Sequence, residues 1–146
     1  MANPSAAPAP FAMGGVDYLM SPLTDRDIQE LNNFIRQELL TTARDFCRSE
    51  TNKTIVEATM KVAMDKVAIV DWIIDSDLLQ SVERIGYLLW MGVRNNEPKP
   101  QRGAFVRALL DNWDTNFEIC MNTLQLVNPF LLKRNLQTKE EAPINP

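Results

Sequence analysis

The chain has 146 residues, 45% of them hydrophobic and 23% charged, with a formal net charge of −4 and no histidine. The missing imidazole excludes triads with a histidine base, HExxH metal sites and His-ligated zinc or iron centres. The length suits one domain with a full core, and 15 basic against 19 acidic residues disfavour a general binder of phosphate backbones.

Residues 1–22 are rich in Ala, Pro and Gly and carry a single charge at Asp17. With no sustained period, this composition predicts a flexible arm. Phe11, Met13, Val16, Tyr18, Leu19 and Met20 make its second half apolar enough to dock on the domain or on a partner. The opening Met1-Ala-Asn-Pro-Ser-Ala-Ala-Pro lacks a basic block followed by an apolar one, so a secretory signal is not expected.

A helical domain is expected over residues 23–132. Thr24 can cap the first helix, with Asp25 and Asp27 at its positive end, and Ile28, Leu31, Ile35, Leu39, Ala43 and Phe46 form its apolar stripe. A second helix is predicted from about Lys53 to Ile74. It carries two stripes, one of Val56, Met60, Ala63, Val67, Val70 and Ile74, the other of Ile55, Val62, Ile69 and Ile73. Two stripes imply cover on two sides, so this is the expected central helix, with a strand over Val67 to Ile74 as the competing assignment.

Asp75-Ser76-Asp77 reads as a turn and cap before a third helix with Leu78, Val82, Ile85, Leu89 and Val93 on one face. Gly86 and Gly92 within it point to close helix crossings. Pro98 and Pro100 end it. The fourth helix is predicted from about Gly103 to Val127, with Val106, Leu110, Trp113, Phe117, Met121 and Leu124 as its stripe. Residues 133–146 read as a polar tail. The expected fold class is all-α: a compact bundle of about four helices with flexible ends.

The search for chemistry is mostly negative. Gly14-Gly15 has no following Gly-Lys-Ser/Thr, so no phosphate loop is present. Asp71 with Asp75 and Asp111 with Asp114 lack the Glu-x-x-His partners of di-metal bundles, and no catalytic, metal or cofactor site is expected. Cys47 and Cys120 have no CxxC spacing and read as reduced thiols, which fits a cytoplasmic location. No uncharged apolar run approaches the ~18 residues of a membrane span. Arg94, Lys99, Arg102 and Arg107 form a local basic cluster near Trp90 and Phe105. Met60, Met64, Met91 and Met121 supply adaptable side chains for an apolar groove.

Val82-Glu83-Arg84-Ile85-Gly86-Tyr87-Leu88-Leu89-Trp90-Met91-Gly92-Val93-Arg94-Asn95-Asn96-Glu97-Pro98 resembles the Trp, Arg, polar pair, Pro signature of tail assembly chaperones of long-tailed bacteriophages. Leu23-Thr24-Asp25-Arg26-Asp27-Ile28-Gln29-Glu30-Leu31 is similar to the start of the helical part of some of these proteins. After the proline the family often carries a Thr-capped acidic helix start, where this chain has Lys99-Pro100-Gln101-Arg102-Gly103. The resemblance implies a non-enzymatic protein that binds apolar helical segments of a tail protein, such as the tape measure protein, during assembly. The expected groove is Met64, Tyr87, Leu88, Trp90 and Met91, with Arg94 and Arg107 at its rim. Other readings are a virion structural or head-tail adaptor subunit, motivated by the two arms, and a small regulatory protein that binds a host factor. A homo-oligomer fits each of them, and nucleic acid is not the expected partner.

Overall fold

The structure is a computed structural model that describes residues 7–131. The expected polar tail, residues 133–146, lies outside them. The described residues include a hairpin of β1 (Ala9–Met13) and β2 (Val16–Met20), five α-helices, one 3-10 turn and a further helical stretch over 129–131. The helices are α1 (Asp25–Arg48), α2 (Lys53–Ala68), α3 (Val82–Val93), α4 (Arg102–Asp111) and α5 (Trp113–Val127), and the 3-10 turn is Ser76–Leu79. The chain is therefore mostly helical, as its periodicity implies, but not all-α. It divides into two compact units, Met1–Asp27 with Ile85–Pro146, and Ile28–Arg84.

In the first unit, the described part of the stretch 1–22 whose composition suggests a flexible arm forms the hairpin, and residues 1–6 lie outside the described residues. Gly14 and Gly15 have φ of 61° and 77°, the two left-handed positions that a two-residue turn requires and that glycine adopts without strain. Phe11 pairs with Tyr18 and Ala9 with Met20, so one face of the hairpin carries Ala9, Phe11, Met13, Tyr18 and Met20, all buried. The Phe11 and Tyr18 rings stack at 5.3 Å, and Tyr18 meets Phe105 edge-on at 5.5 Å. Strand β1 packs on α5, where Cys120 Sγ lies 3.7 Å from Met13 Sδ. Both outer edges of the hairpin are blunted. Pro10 has no N–H to offer, and the Leu19 carbonyl accepts from Asn96 Nδ2 at 2.9 Å.

Both glycines of α3 mark close approaches, and the helix runs through them. A Cβ on Gly92 would collide with Met20 Sδ, and one on Gly86 would come within 2.7 Å of a Val106 methyl. The expected single helix over 103–127 breaks at Asn112, whose φ of −146° and ψ of 72° are not helical. Asn116 Nδ2 donates to the Ala108 carbonyl at 3.0 Å, replacing the helical bond that the break removes. The break also resets the helical phase. Phe105 and Leu109 on α4 and Cys120, Leu124 and Val127 on α5 are buried, while Leu110 of the expected stripe is exposed. Asn128 is buried at the end of α5. It accepts from the Leu23 amide at 2.9 Å through Oδ1 and donates to the Leu124 carbonyl at 2.9 Å.

Helix α1 opens with the expected cap. Thr24 Oγ1 accepts from the Asp27 amide at 3.1 Å, and Asp27 Oδ2 accepts from the Thr24 amide at 3.0 Å, a reciprocal pair. In the second unit, Ile28, Leu31, Ile35 and Ala43 of the predicted stripe are buried, and Phe46 at its end is exposed. Asn52 caps α2 through the Thr54 and Ile55 amides. The helix stops at Ala68 instead of reaching Ile74, because Trp72 is drawn into the core. Trp72 is 1% exposed, donates Nε1–H to the Ile28 carbonyl at 3.0 Å and its backbone N–H to Asn32 Oδ1 at 2.9 Å. Asp75 then caps the 3-10 turn, and Ser81 Oγ accepts from the Arg84 amide at the start of α3.

Candidate functional site

Two surfaces carry side chains that the core does not consume, one in each unit. In the first unit, Tyr87, Trp90 and Arg94 are spaced i, i+3, i+7 on the outer face of α3, as helical periodicity dictates. All three are half-buried. The Tyr87 and Trp90 rings meet edge-on at 5.7 Å. Arg94 lies 5.2 Å from the Trp90 ring centre, and its Nη2 is 2.7 Å from Asp27 Oδ1. Arg102, the first residue of α4, spreads over Tyr87 at 4.5 Å and Trp90 at 5.9 Å. Trp90 Nε1 donates to the Pro100 carbonyl at 2.8 Å, which ties the proline loop to α3. Cations over aromatic faces hold each other by about 0.5–2 kcal/mol. The result is a preorganised aromatic surface edged with positive charge.

The expected groove residues are thereby divided. Tyr87, Trp90 and Arg94 come together at the surface, and Arg107 is exposed on α4. Leu88 and Met91 turn inward on the same helix and are buried in the core, because i+1 neighbours on a helix face away from one another. Met64 belongs to the second unit, where it is exposed on α2. Arg102, which the sequence places in the basic cluster near Trp90 but not in the groove, joins the group, and Asp27 is the member that sequence reasoning misses. Asp27 is legible only as a helix-start acid, and its pairing with Arg94 spans 67 positions of sequence.

In the second unit, the surface is α2 itself. Ala63 is its one fully buried residue. Its stripe of Val56, Met60 and Val67 turns inward and is half-buried, while Ile55, Val62 and Ile69 face solvent, with Val62 52% and Ile69 80% exposed. A seven-residue spacing keeps Ile55 and Val62 on one face two turns apart, and Ile69 follows as the C-cap residue just past the end of α2. The expected central helix is therefore covered on one side. The charges bordering the uncovered stripe are Lys61, Asp65 and Lys66, and Lys61 Nζ pairs with Asp65 at 3.2 Å.

Burial pushes the Cys120 thiol up to about 12 and, with the nearby Cys120, raises Tyr18. Glu83 is held below the usual carboxylate range by its own backbone N–H, then by the Ser81 hydroxyl. Among the described residues no group of three or more Cys, Asp or Glu side chains is arranged to hold a metal ion, and no helix is long and apolar enough to cross a membrane.

No family model, curated protein or solved structure matches this chain.

Proposed function

We propose that this chain is a non-enzymatic interaction protein of the tail assembly chaperone type, acting in the host cytoplasm, and that it takes an apolar helical segment of a tail protein along the outer stripe of α2. The observation that supports this reading is the uncovered stripe of Ile55, Val62 and Ile69 on a helix whose other face packs in its own unit. Exposed apolar rows of this kind mark binding surfaces. A partner helix laid along the stripe at about 20° would interleave with its seven-residue spacing. A second copy would suit it poorly, since pairing stripe to stripe sets Lys61 against Lys61 or Lys66.

Covering a half-exposed Ile or Val gains roughly 1 kcal/mol, so the three residues contribute a fraction of the about 8 kcal/mol of a micromolar complex. The partner's own apolar stripe, covered at the same time, supplies the rest. The test is co-expression with tape measure segments. The soluble yield of a segment should rise with the wild-type protein, the two should co-purify, and Val62→Lys should weaken binding about tenfold or more with the helical spectrum unchanged. No gain in yield and no co-purification would overturn the reading. Equal binding by Val62→Lys would remove α2 as the site.

A further inference from the structure

The core of the first unit covers one face of the hairpin and leaves the other open. Successive strand residues alternate between faces. With Phe11, Met13, Tyr18 and Met20 turned inward, Pro10, Ala12, Asp17 and Leu19 face outward and are exposed. Cross-strand pairing sets Pro10 against Leu19 and Ala12 against Asp17. The loop after α3 stands beside them. Asn96 Nδ2 donates to the Leu19 carbonyl at 2.9 Å and to Ser21 Oγ at 2.7 Å, which holds the neighbouring Glu97 next to the hairpin. The four outward residues and Glu97 line an open cavity of about 540 Å³, floored by Phe11 and Tyr18. That volume falls within the roughly 300–1,000 Å³ of small-ligand sites. The side walls are apolar apart from the Asp17 and Glu97 carboxylates, and no cation lines the cavity. Lys99 Nζ comes within 3.9 Å of Glu97 Oε1, both side chains being largely exposed, and such a pair holds little energy in water. Asp17 forms no ion pair among the described residues.

An anion in this cavity would meet two like charges. A wholly apolar ligand would strip water from two carboxylates and give nothing in return. We infer that the cavity binds an ammonium or guanidinium group on an aliphatic stem of about three or four carbons, the chemistry shared by lysine and arginine side chains and free alkyl cations. The stem lies against Pro10, Ala12 and Leu19, the last of which is 40% exposed without it. The head group takes charge-assisted hydrogen bonds from Asp17 and Glu97 as acceptors. Because both edges of the hairpin are blunted, its outer face is the part left to a ligand. The cavity lies wholly within the first unit and makes no use of α2.

The test is titration of the isotope-labelled full chain with butylguanidinium, butylammonium and, as the uncharged control, butanol, read from amide chemical shifts. Both cations should give saturable shifts at Ala12, Asp17, Leu19 and Glu97 with an affinity of about millimolar, weaker at high salt, and butanol should give none. Asp17→Asn with Glu97→Gln, both at exposed positions, should weaken binding about tenfold or more. Asp17→Lys, which sets a cation of the chain's own in the cavity, should block it. A short peptide with one arginine separates the two sources: binding tighter than that of butylguanidinium assigns a polypeptide side chain, and weaker or equal binding assigns a free alkyl cation. No saturable shift at these amides with either cation, an equal response to butanol, or wild-type affinity in either variant would each overturn the inference.

Discussion

Asn128 is the residue whose removal tests the packing of the first unit most directly. It is 1% exposed, and its Oδ1 is the acceptor for the Leu23 amide, 105 positions away in sequence. In Asn128→Ala the Leu124 carbonyl keeps a partner, because the backbone N–H of residue 128 donates to it at 2.9 Å. The Leu23 amide keeps none, and Leu23 is fully buried. One orphaned buried donor costs about 1–3 kcal/mol, which in a chain of this size corresponds to a fall of about 2–12 °C in Tm. Asn128→Asp preserves the acceptor but turns a carboxylate oxygen toward the Leu124 carbonyl. That burial raises the pKa of the introduced carboxyl above its unfolded value near ~4. Its deficit against wild type is therefore small at low pH and grows as pH rises through that value. Urea and thermal unfolding followed by far-ultraviolet dichroism at pH 4 and 7 measure both variants. A loss below about 0.5 kcal/mol in Asn128→Ala, at the level of ordinary surface substitutions, would refute the assignment of Asn128 as the sole partner of the Leu23 amide.

Trp72→Ala removes the largest buried side chain of the second unit and should cost about 3–5 kcal/mol, read from the urea midpoint. Trp72→Phe, which forfeits chiefly the Nε1 bond to the Ile28 carbonyl, should cost less. Cys120, with its thiol pushed up to about 12 by burial, should resist a thiol reagent at pH 8 in the native protein and react on denaturation, whereas half-buried Cys47 reacts without denaturant. Rapid native modification of both thiols would contradict the burial. Glu83, whose folded pKa is lowered, contributes stability that is present above its unfolded pKa and lost as pH falls through the folded one. Glu83→Gln should therefore make the acid limb of the pH–stability curve less steep, and an unchanged limb would exclude this contribution.

The candidate surfaces are legible in the sequence to different depths. The i, i+3, i+7 spacing alone puts Tyr87, Trp90 and Arg94 on one face of a helix, and the basic residues around the proline loop are visible as a cluster. Arg102 cannot be assigned to that face from spacing, since its approach to Tyr87 depends on how Pro100 and the Trp90 indole tie the loop back. The two stripes of α2 are visible too. Two stripes imply cover on both sides, yet nothing local to Ile55, Val62 or Ile69 distinguishes a buried stripe from an exposed one. The hairpin is readable in principle, from Gly14-Gly15 between short runs in which Phe11 and Met13, then Tyr18 and Met20, alternate with other residues. Its Ala and Pro content obscures that period.

By itself the sequence determined where α1 and α2 start, whereas α3 starts at Val82 and not at Leu78, which lies in the 3-10 turn, and the start of α5 at Trp113 has no signal in the period. Thr24 and Asn52 cap the backbone amides next to them, and a period of three and four aligns apolar side chains whatever surrounds them. It also determined the absence of imidazole chemistry. Only the tertiary structure decided where helices end and which apolar faces meet. Helix α2 stops because Trp72 gains more from Asn32, Ile28 and the core than from a further turn. The α4–α5 break persists because Asn116 can satisfy the carbonyl it frees. The Asn128 bond to Leu23, the Arg94 pair with Asp27 and the exposure of the α2 stripe all link or separate residues far apart in the chain. No local propensity carries that information, since the free energy of each depends on what the fold brings within reach.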